Sequence, residues 1–157
     1  MARETVTGNG RIGKFRTGVI NFPAELDSEY GGFYFYAGHL SEMALETFGW
    51  DMKRVTAREK NGVVTAIAEY DDYQITMNFI PENNFYYVIL YGDNGVVTRE
   101  IDLAICYKLA FEKFYQMLKT GKMPVSYGNI FKPVALLNAI EKSYKTNETV
   151  EIHDLYE

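Results

Sequence analysis

The sequence has 157 residues, of which 47% are apolar, and a net charge of −5. A chain of this length buries roughly two-thirds of its unfolded surface, so we expect one domain over residues 1–157. Lysine and arginine are scattered along the chain, which argues against a nucleic-acid partner. No run approaches the ~18 apolar residues of a membrane span, so we expect no membrane partner and a cytoplasmic location.

The single cysteine and the many tyrosines are the unusual features of the composition. Cys106 lies in an apolar helical pattern, and we expect a buried, inert thiol there. Aromatic residues make up 15% of the chain, with 13 tyrosines. Tyrosine suits sheet faces, subunit interfaces and sugar-like ligands, so this content does not choose among them.

The first residues contain a Gly-x-Gly-x-x-Gly match at positions 8–13. A dinucleotide-binding turn of this kind needs a buried strand before it and a helix that opens within it. Mostly polar residues precede Gly8, and residues 14–22 alternate between apolar and polar as a strand does, up to Pro23. We therefore predict no cofactor-binding residues in this chain.

An acidic loop at residues 23–32 precedes a predicted helix over about residues 35–48, which Gly49 ends. Ser41 is predicted to lie off the apolar face of this helix. The residues predicted to form that face are Tyr36, Leu40, Met43, Ala44 and Phe48.

The middle of the chain predicts strands separated by turn signals. Asn61-Gly62 and Asn94-Gly95 are the residue pairs that two-residue hairpin turns select. An antiparallel meander follows from this spacing, with strands at about residues 52–59, 63–70, 73–80, 85–91 and 96–101.

The strand at residues 85–91 is apolar on both faces, unlike its neighbour at 73–80. We infer that helices cover one face of the sheet and that another protein surface covers the other. A symmetric homodimer through the sheet face is the simplest arrangement. The fold class that we predict is α+β, an open, largely antiparallel sheet with helices packed on one face.

Two further helices and a short strand complete the chain. Asp102 is a predicted N-cap for a helix that runs to about Lys119. A last helix is predicted over residues 129–145, and a final strand over 149–152. His153 lies in an acidic tail and is interpreted as solvated surface.

His39 is the candidate for chemistry that the residues themselves suggest. Its imidazole can move a proton to or from a substrate hydroxyl, and Glu42 lies on a neighbouring part of the same helix surface. The preceding glycines would let a ligand approach the backbone. A hydrogen-bonded structural histidine is the alternative. Two distant histidines and one cysteine provide no metal-binding spacing, so we predict no metal ligands.

The order of the motifs resembles the C-terminal domain of the Gfo/Idh/MocA oxidoreductases, over about residues 10–152. The segments that carry the resemblance are residues 10–14 (GRIGK), 30–42 (YGGFYFYAGHLSE) and 121–127 (GKMPVSY). It implies a domain that holds a sugar or polyol while a separate Rossmann domain binds NAD or NADP. It also implies that His39 is catalytic, and we expect Tyr36 and Glu42 to bind substrate.

The chain departs from that family pattern in two ways. Phe35 occupies the position where the family commonly has an aspartate, and no Glu-Lys-Pro motif occurs in the sequence. Hydride transfer also needs a bound cofactor. We therefore predict a substrate-binding and dimerisation domain that is not competent for hydride transfer alone. The competing hypothesis is a free-standing module that binds a ligand or a protein and has no redox chemistry.

Overall fold

The computed structural model describes residues 12–153, which contain seven strands and three helices. Predictions that concern Gly8, Gly10 and Asp154 lie outside the described residues. The strands are β1 (Phe15–Pro23), β2 (Arg54–Lys60), β3 (Val63–Glu69), β4 (Gln74–Ile80), β5 (Tyr87–Gly92), β6 (Gly95–Glu100) and β7 (Thr149–Glu151). The helices are α1 (Tyr34–Phe48), α2 (Leu103–Thr120) and α3 (Tyr127–Thr146).

All seven strands form one open sheet in the order β6-β5-β1-β4-β3-β2-β7. Only β1 and β4 pair in parallel; the other neighbours are antiparallel. The predicted open, largely antiparallel sheet is therefore confirmed. The prediction of an uninterrupted meander is wrong, because β1 lies between β4 and β5. The segment between β4 and β5, residues 81–86, is too long for a tight hairpin and lets the chain pass over β1.

Helices α1 and α3 pack on one face of the sheet, α1 against β1 and β4 and α3 against β2 and β7. The predicted face of α1 is only partly correct. Leu40, Ala44 and Phe48 are buried, but Tyr36 is 42% exposed. Ser41 is buried although it was predicted to lie elsewhere, and its hydroxyl donates to the Ala37 carbonyl at 3.3 Å. That bond satisfies the polar group within the helix.

The end of α1 is held by two tyrosines from the β3–β4 connection. Gly49 has a φ of 126°, and a Cβ there would lie 3.3 Å from the Tyr73 hydroxyl. The rings of Tyr70 and Tyr73 stack on each other. The Tyr70 hydroxyl donates to the Gly49 carbonyl at 2.9 Å, and the Tyr73 hydroxyl donates to the Phe48 carbonyl at 2.5 Å. The predicted helix end at Gly49 is confirmed, because these bonds satisfy carbonyls that the helix leaves unpaired.

Helix α2 begins at Asp102, as predicted, and ends at Gly121 in a left-handed conformation. None of its residues is buried, and one ion pair, Lys113 to Glu46 at 3.9 Å, joins it to α1. Cys106 is exposed, so the prediction of a buried thiol is wrong. The predicted apolar stripe of α2 is left exposed, with Leu109 and Phe114 at 51% and 49%. Within residues 12–153, no helix is both long and apolar enough to cross a membrane.

Candidate functional site

A cavity of about 390 Å³ opens at the end of the parallel strand pair. Pro23 at the end of β1 pairs with Ile80 at the end of β4, and the Ala24 amide donates to the Ile80 carbonyl at 3.3 Å. Because both strands end at the same edge, the loops that follow them meet there with the start of α1. The carboxyl ends of strands beside a change in strand order are common ligand sites in sheets.

The cavity walls combine aromatic rings with polar side chains. The aromatic rings are those of Tyr30, Phe35, Tyr36 and Tyr86. The polar side chains are Glu25 and Ser28 from the first loop and Glu82, Asn83 and Asn84 from the second. Flat rings beside amides and carboxylates suit a ligand with apolar faces and many hydroxyl groups.

The three predicted site residues occupy different places relative to this cavity. Tyr36 lines it. His39, one turn further along α1, is exposed and lies behind Tyr36, with the two ring centroids 5.7 Å apart in an edge-on arrangement. Its other ring contact is with Phe22, at 6.2 Å. His39 therefore lies next to the cavity wall and does not form the wall itself.

Glu42 lies on the exposed surface of α1, outside the residues that line the cavity. In the described part of the chain, it forms no hydrogen bond or ion pair with His39. The ring of Phe35 contacts Tyr30 and Tyr36, at centroid distances of 5.1 and 5.3 Å. Across residues 12–153, no three His, Cys, Asp or Glu side chains are grouped as metal ligands.

The glycines before α1 shape the loop that leads into the helix. Gly31 and Gly32 have φ values of 141° and 61°, which favour glycine. Their amides donate to the Ser28 carbonyl at 3.2 and 2.7 Å, which closes the turn into α1. A Cβ on Gly32 would lie 3.2 Å from the Leu26 carbonyl oxygen. The turn thereby fixes Tyr30 and Phe35 at the cavity.

Tyr34 ties the first turn of α1 to α3. Its hydroxyl donates to the Glu141 carboxylate at 2.8 Å and lies 2.9 Å from Asn138 Oδ1. Burial and the negative charge of Glu141 raise the pKa of Tyr34 to about 12. The hydrogen bond from Lys145, with a smaller contribution from the Tyr34 hydroxyl, lowers the pKa of Glu141. This link holds the helix turn that carries Phe35 and Tyr36.

The cavity residues between β4 and β5, namely Glu82, Asn83, Asn84 and Tyr86, had no predicted role in a site. They follow β4, and only its parallel pairing with β1 brings them to the first loop. The polar break at residues 81–84 was the available signal, but it was interpreted as a simple connection between adjacent strands. The acidic loop carrying Glu25 was recognised without a function.

No family model and no curated protein matches this sequence. Solved structures do share its fold. An aldose-aldose oxidoreductase from Caulobacter crescentus, complexed with glycerol, is 14% identical with a TM-score of 0.75, and the match covers 96% of this chain and 59% of that one. A levoglucosan dehydrogenase complexed with NADH and L-sorbose is 12% identical with a TM-score of 0.78, covering 98% and 62%.

A third structure is the WlbA dehydrogenase from Bordetella pertussis in complex with NADH and UDP-GlcNAcA. It is 13% identical with a TM-score of 0.73, and the match covers 97% of this chain and 60% of that one. The chain thus spans about three-fifths of the length of these oxidoreductases. The resemblance to Gfo/Idh/MocA enzymes is confirmed at the level of the fold.

Proposed function

We propose that the chain is a substrate-binding and dimerisation domain related to NAD(P)-dependent sugar dehydrogenases, and that it binds a small sugar or polyol in the cavity beside α1. The observation that carries this proposal is the cavity lining, in which Tyr36 and Tyr86 face carboxylate and amide groups. Glycerol and L-sorbose in complexes of the structural neighbours support it.

In this proposal, binding and hydride transfer are separate tasks. Ring faces of the cavity pack on the carbon skeleton of the ligand, and the polar groups accept its hydroxyl protons. His39 lies next to Tyr36, with ring centroids 5.7 Å apart, and in this proposal it exchanges a proton with a ligand hydroxyl at the cavity mouth. The nicotinamide cofactor supplies hydride transfer in a full-length relative, so the 157 residues alone bind no NAD or NADP and oxidise no substrate.

Titration calorimetry with glycerol, sorbitol and L-sorbose tests the ligand. We expect saturable binding of at least one of them, and a loss of about tenfold in affinity for Tyr36→Ala, because about 1.4 kcal/mol of packing is removed. His39→Ala should weaken the same ligand by a few-fold. Titration with NADH under the same conditions should give no heat of binding.

Cys106→Ser is the matched control, because Cys106 is exposed on α2 and does not line the cavity. It should bind the ligand as the wild type does. Equal affinities for the wild type, Tyr36→Ala and His39→Ala would contradict the proposed site. Micromolar binding of NADH would contradict the assignment of the cofactor to another part of the enzyme.

We propose that the open face of the sheet forms a homodimer. A row of seven β-branched residues crosses this face in register: Thr98, Ile89, Val19, Thr76, Ile67, Thr56 and Thr149. None of the three helices of residues 12–153 packs on this row, whereas α1 and α3 cover the opposite face. A flat row of short side chains is self-complementary, which a two-fold interface requires.

Light scattering of wild type and variants tests the dimer. We expect a dimer for the wild type and a monomer for Ile89→Glu, since the interface would bury an unpaired carboxylate from each subunit. Thr98→Glu, at an exposed position of the same row, should act in the same way and guards against misfolding of the Ile89 variant. A wild-type monomer at high concentration would contradict the interface.

The alternative function, a free-standing module that binds a ligand or a protein, draws its support from α2. Tyr107, Phe111 and Leu118 on this helix are 77%, 68% and 65% exposed. Exposed apolar area of this kind marks contact surfaces. Light scattering of Phe111→Glu distinguishes a dimer through the sheet face from a protein-binding surface on α2. A dimer that survives Phe111→Glu but not Ile89→Glu supports the sheet face, and the reverse result supports α2 as the protein-binding surface.

A further inference from the structure

The residues that line the cavity give it a negative charge, which bears on the class of sugar that it binds. Glu25 and Glu82 line it from the two loops, and none of the other lining residues is basic. We propose that the cavity selects a ligand with a protonated amine, that is, an amino sugar or amino polyol, over neutral and acidic sugars. This inference rests on the proposed sugar-binding function of the same cavity.

The two carboxylates have no cation within the described part of the chain. Neither Glu25 nor Glu82 forms an ion pair with any residue from 12 to 153, whereas Asp51, Asp71 and Asp93 on other surfaces do. The loop of Glu25 adds Asp27 and Glu29, which are exposed and also form no ion pair with those residues. A ligand cation would therefore meet carboxylates that no protein cation of this region neutralises.

The backbone holds the second carboxylate at the cavity. Glu82 has a φ of 54°, a left-handed conformation that is uncommon for residues other than glycine. The adjacent Asn83 accepts the Phe85 amide through its side-chain oxygen at 2.9 Å, which closes a local turn. This turn lies in the loop that brings Glu82 to the cavity, which Glu25 also lines.

The aromatic rings of the same cavity add a second attraction for a cation. Tyr30, Phe35 and Tyr36 form a continuous group, with centroid distances of 5.1 and 5.3 Å between successive rings. An ammonium group is attracted to the face of such rings and donates charge-assisted hydrogen bonds to carboxylates. A ligand carboxylate or phosphate would instead be repelled by Glu25 and Glu82.

Calorimetry of the full chain with D-glucosamine, D-glucose and D-glucuronate at low ionic strength tests the selectivity. The three sugars are similar in size, and the solution is kept below the pKa of the glucosamine amine so that the amine is charged. We expect glucosamine to bind about tenfold more tightly than glucose, and glucuronate to bind more weakly than glucose. The double variant Glu25→Gln, Glu82→Gln should lose the preference for glucosamine and still bind glucose.

Glu112→Gln is the control, because Glu112 is an exposed carboxylate on α2 that does not line the cavity. It should keep the tenfold preference, which shows that general attraction to an acidic protein is not the cause. Equal binding of glucose and glucosamine overturns the selectivity and leaves the sugar-binding function standing. A preference that persists in the double variant also overturns it. Absence of binding by all three sugars overturns both.

Discussion

Ser143 is a buried polar residue that connects three parts of the fold. Its hydroxyl accepts the Ala57 amide of β2 at 2.8 Å and donates to the Glu148 carbonyl at 2.5 Å. At Ala57, strand β2 has passed beyond its pairing with β7, which covers only Arg54 to Thr56. The serine thus satisfies a strand amide that has no strand partner on that side, and it fixes the turn from α3 into β7.

We expect Ser143→Ala to lower the free energy of unfolding by about 1–3 kcal/mol, because a buried amide and a carbonyl both lose their partner. Urea denaturation of the two proteins measures the difference. Thr146→Ala is the matched control, since its exposed hydroxyl bonds only to the Lys142 carbonyl within the helix. The control should change stability by less than about 0.5 kcal/mol. Equal effects of the two substitutions would remove Ser143 from this role.

At the scale of single elements, α2 differs from the other two helices. It has a side-chain cap at Asp102 and a left-handed glycine at its end, both of which stabilise it locally. It lacks buried residues, whereas most of the stability of a protein helix comes from packing an apolar face. Its stability in the isolated chain therefore rests on its own sequence and caps.

Amide hydrogen exchange followed by mass spectrometry checks this difference. We expect the amides of α2 to exchange much faster than those of α3, since opening α2 exposes no buried surface and opening α3 disrupts the core. Helix α3 is the internal control in the same sample. Protection of α2 equal to that of α3 would mean that another surface covers α2 in solution.

The spacing of apolar residues in the sequence predicted the helices and strands well, and its wrong predictions have physical causes. All three helices and all seven strands match predicted segments, with shifts of a few residues at their ends. Alternation along a strand shows which side chains share a face, but it does not identify the neighbouring strand. The insertion of β1 beside β4 was therefore missed, and with it the cavity residues Glu82, Asn83 and Asn84.

Periodicity also fails to identify what a helix face packs against, which explains the wrong prediction for Cys106 and the positions of the site residues. An apolar stripe predicts that a helix has a face to cover, but it does not say that the same chain covers it. Tyr36 was predicted to lie on the apolar face of α1 and also to bind substrate. It is 42% exposed and lines the cavity, a position that is compatible with both predictions. His39 and Glu42 share one side of the helix on a wheel, yet only His39 contacts the ring of Tyr36.

At the scale of the whole molecule, phenol groups link α1 to α3 and to the β3–β4 connection, and they make stability depend on pH. Burial raises the pKa of Tyr34 and of Tyr73 to about 12, from an ordinary value of 10.0. Burial raises the pKa of Tyr70 still further. An unfolded chain would ionise these groups at lower pH than the folded chain does, so the folded state binds more protons in that range.

We expect the free energy of unfolding to stay level from neutral pH to about pH 10 and to fall as the pH rises from about 10 through about 12. Urea titrations across this range measure the slope. Tyr73→Phe removes one of the groups and should give a shallower slope, despite lower stability at neutral pH from the lost bond to Phe48. Tyr107→Phe, at an exposed position of α2, should leave the slope unchanged. A level profile up to pH 12 in the wild type would contradict this reasoning.

The central position of β1 also has a consequence for synthesis on the ribosome. Strand β1 is made first, but its two partners end at Ile80 and Gly92. At about 5–20 residues per second, the roughly 60 residues between Pro23 and Ile80 take several seconds to appear. The β2–β3–β4 hairpins can form during that interval, while the apolar residues of β1 have no strand to pair with. During that interval the nascent chain exposes an unpaired apolar strand, and β1 cannot join the sheet until β4 has been made.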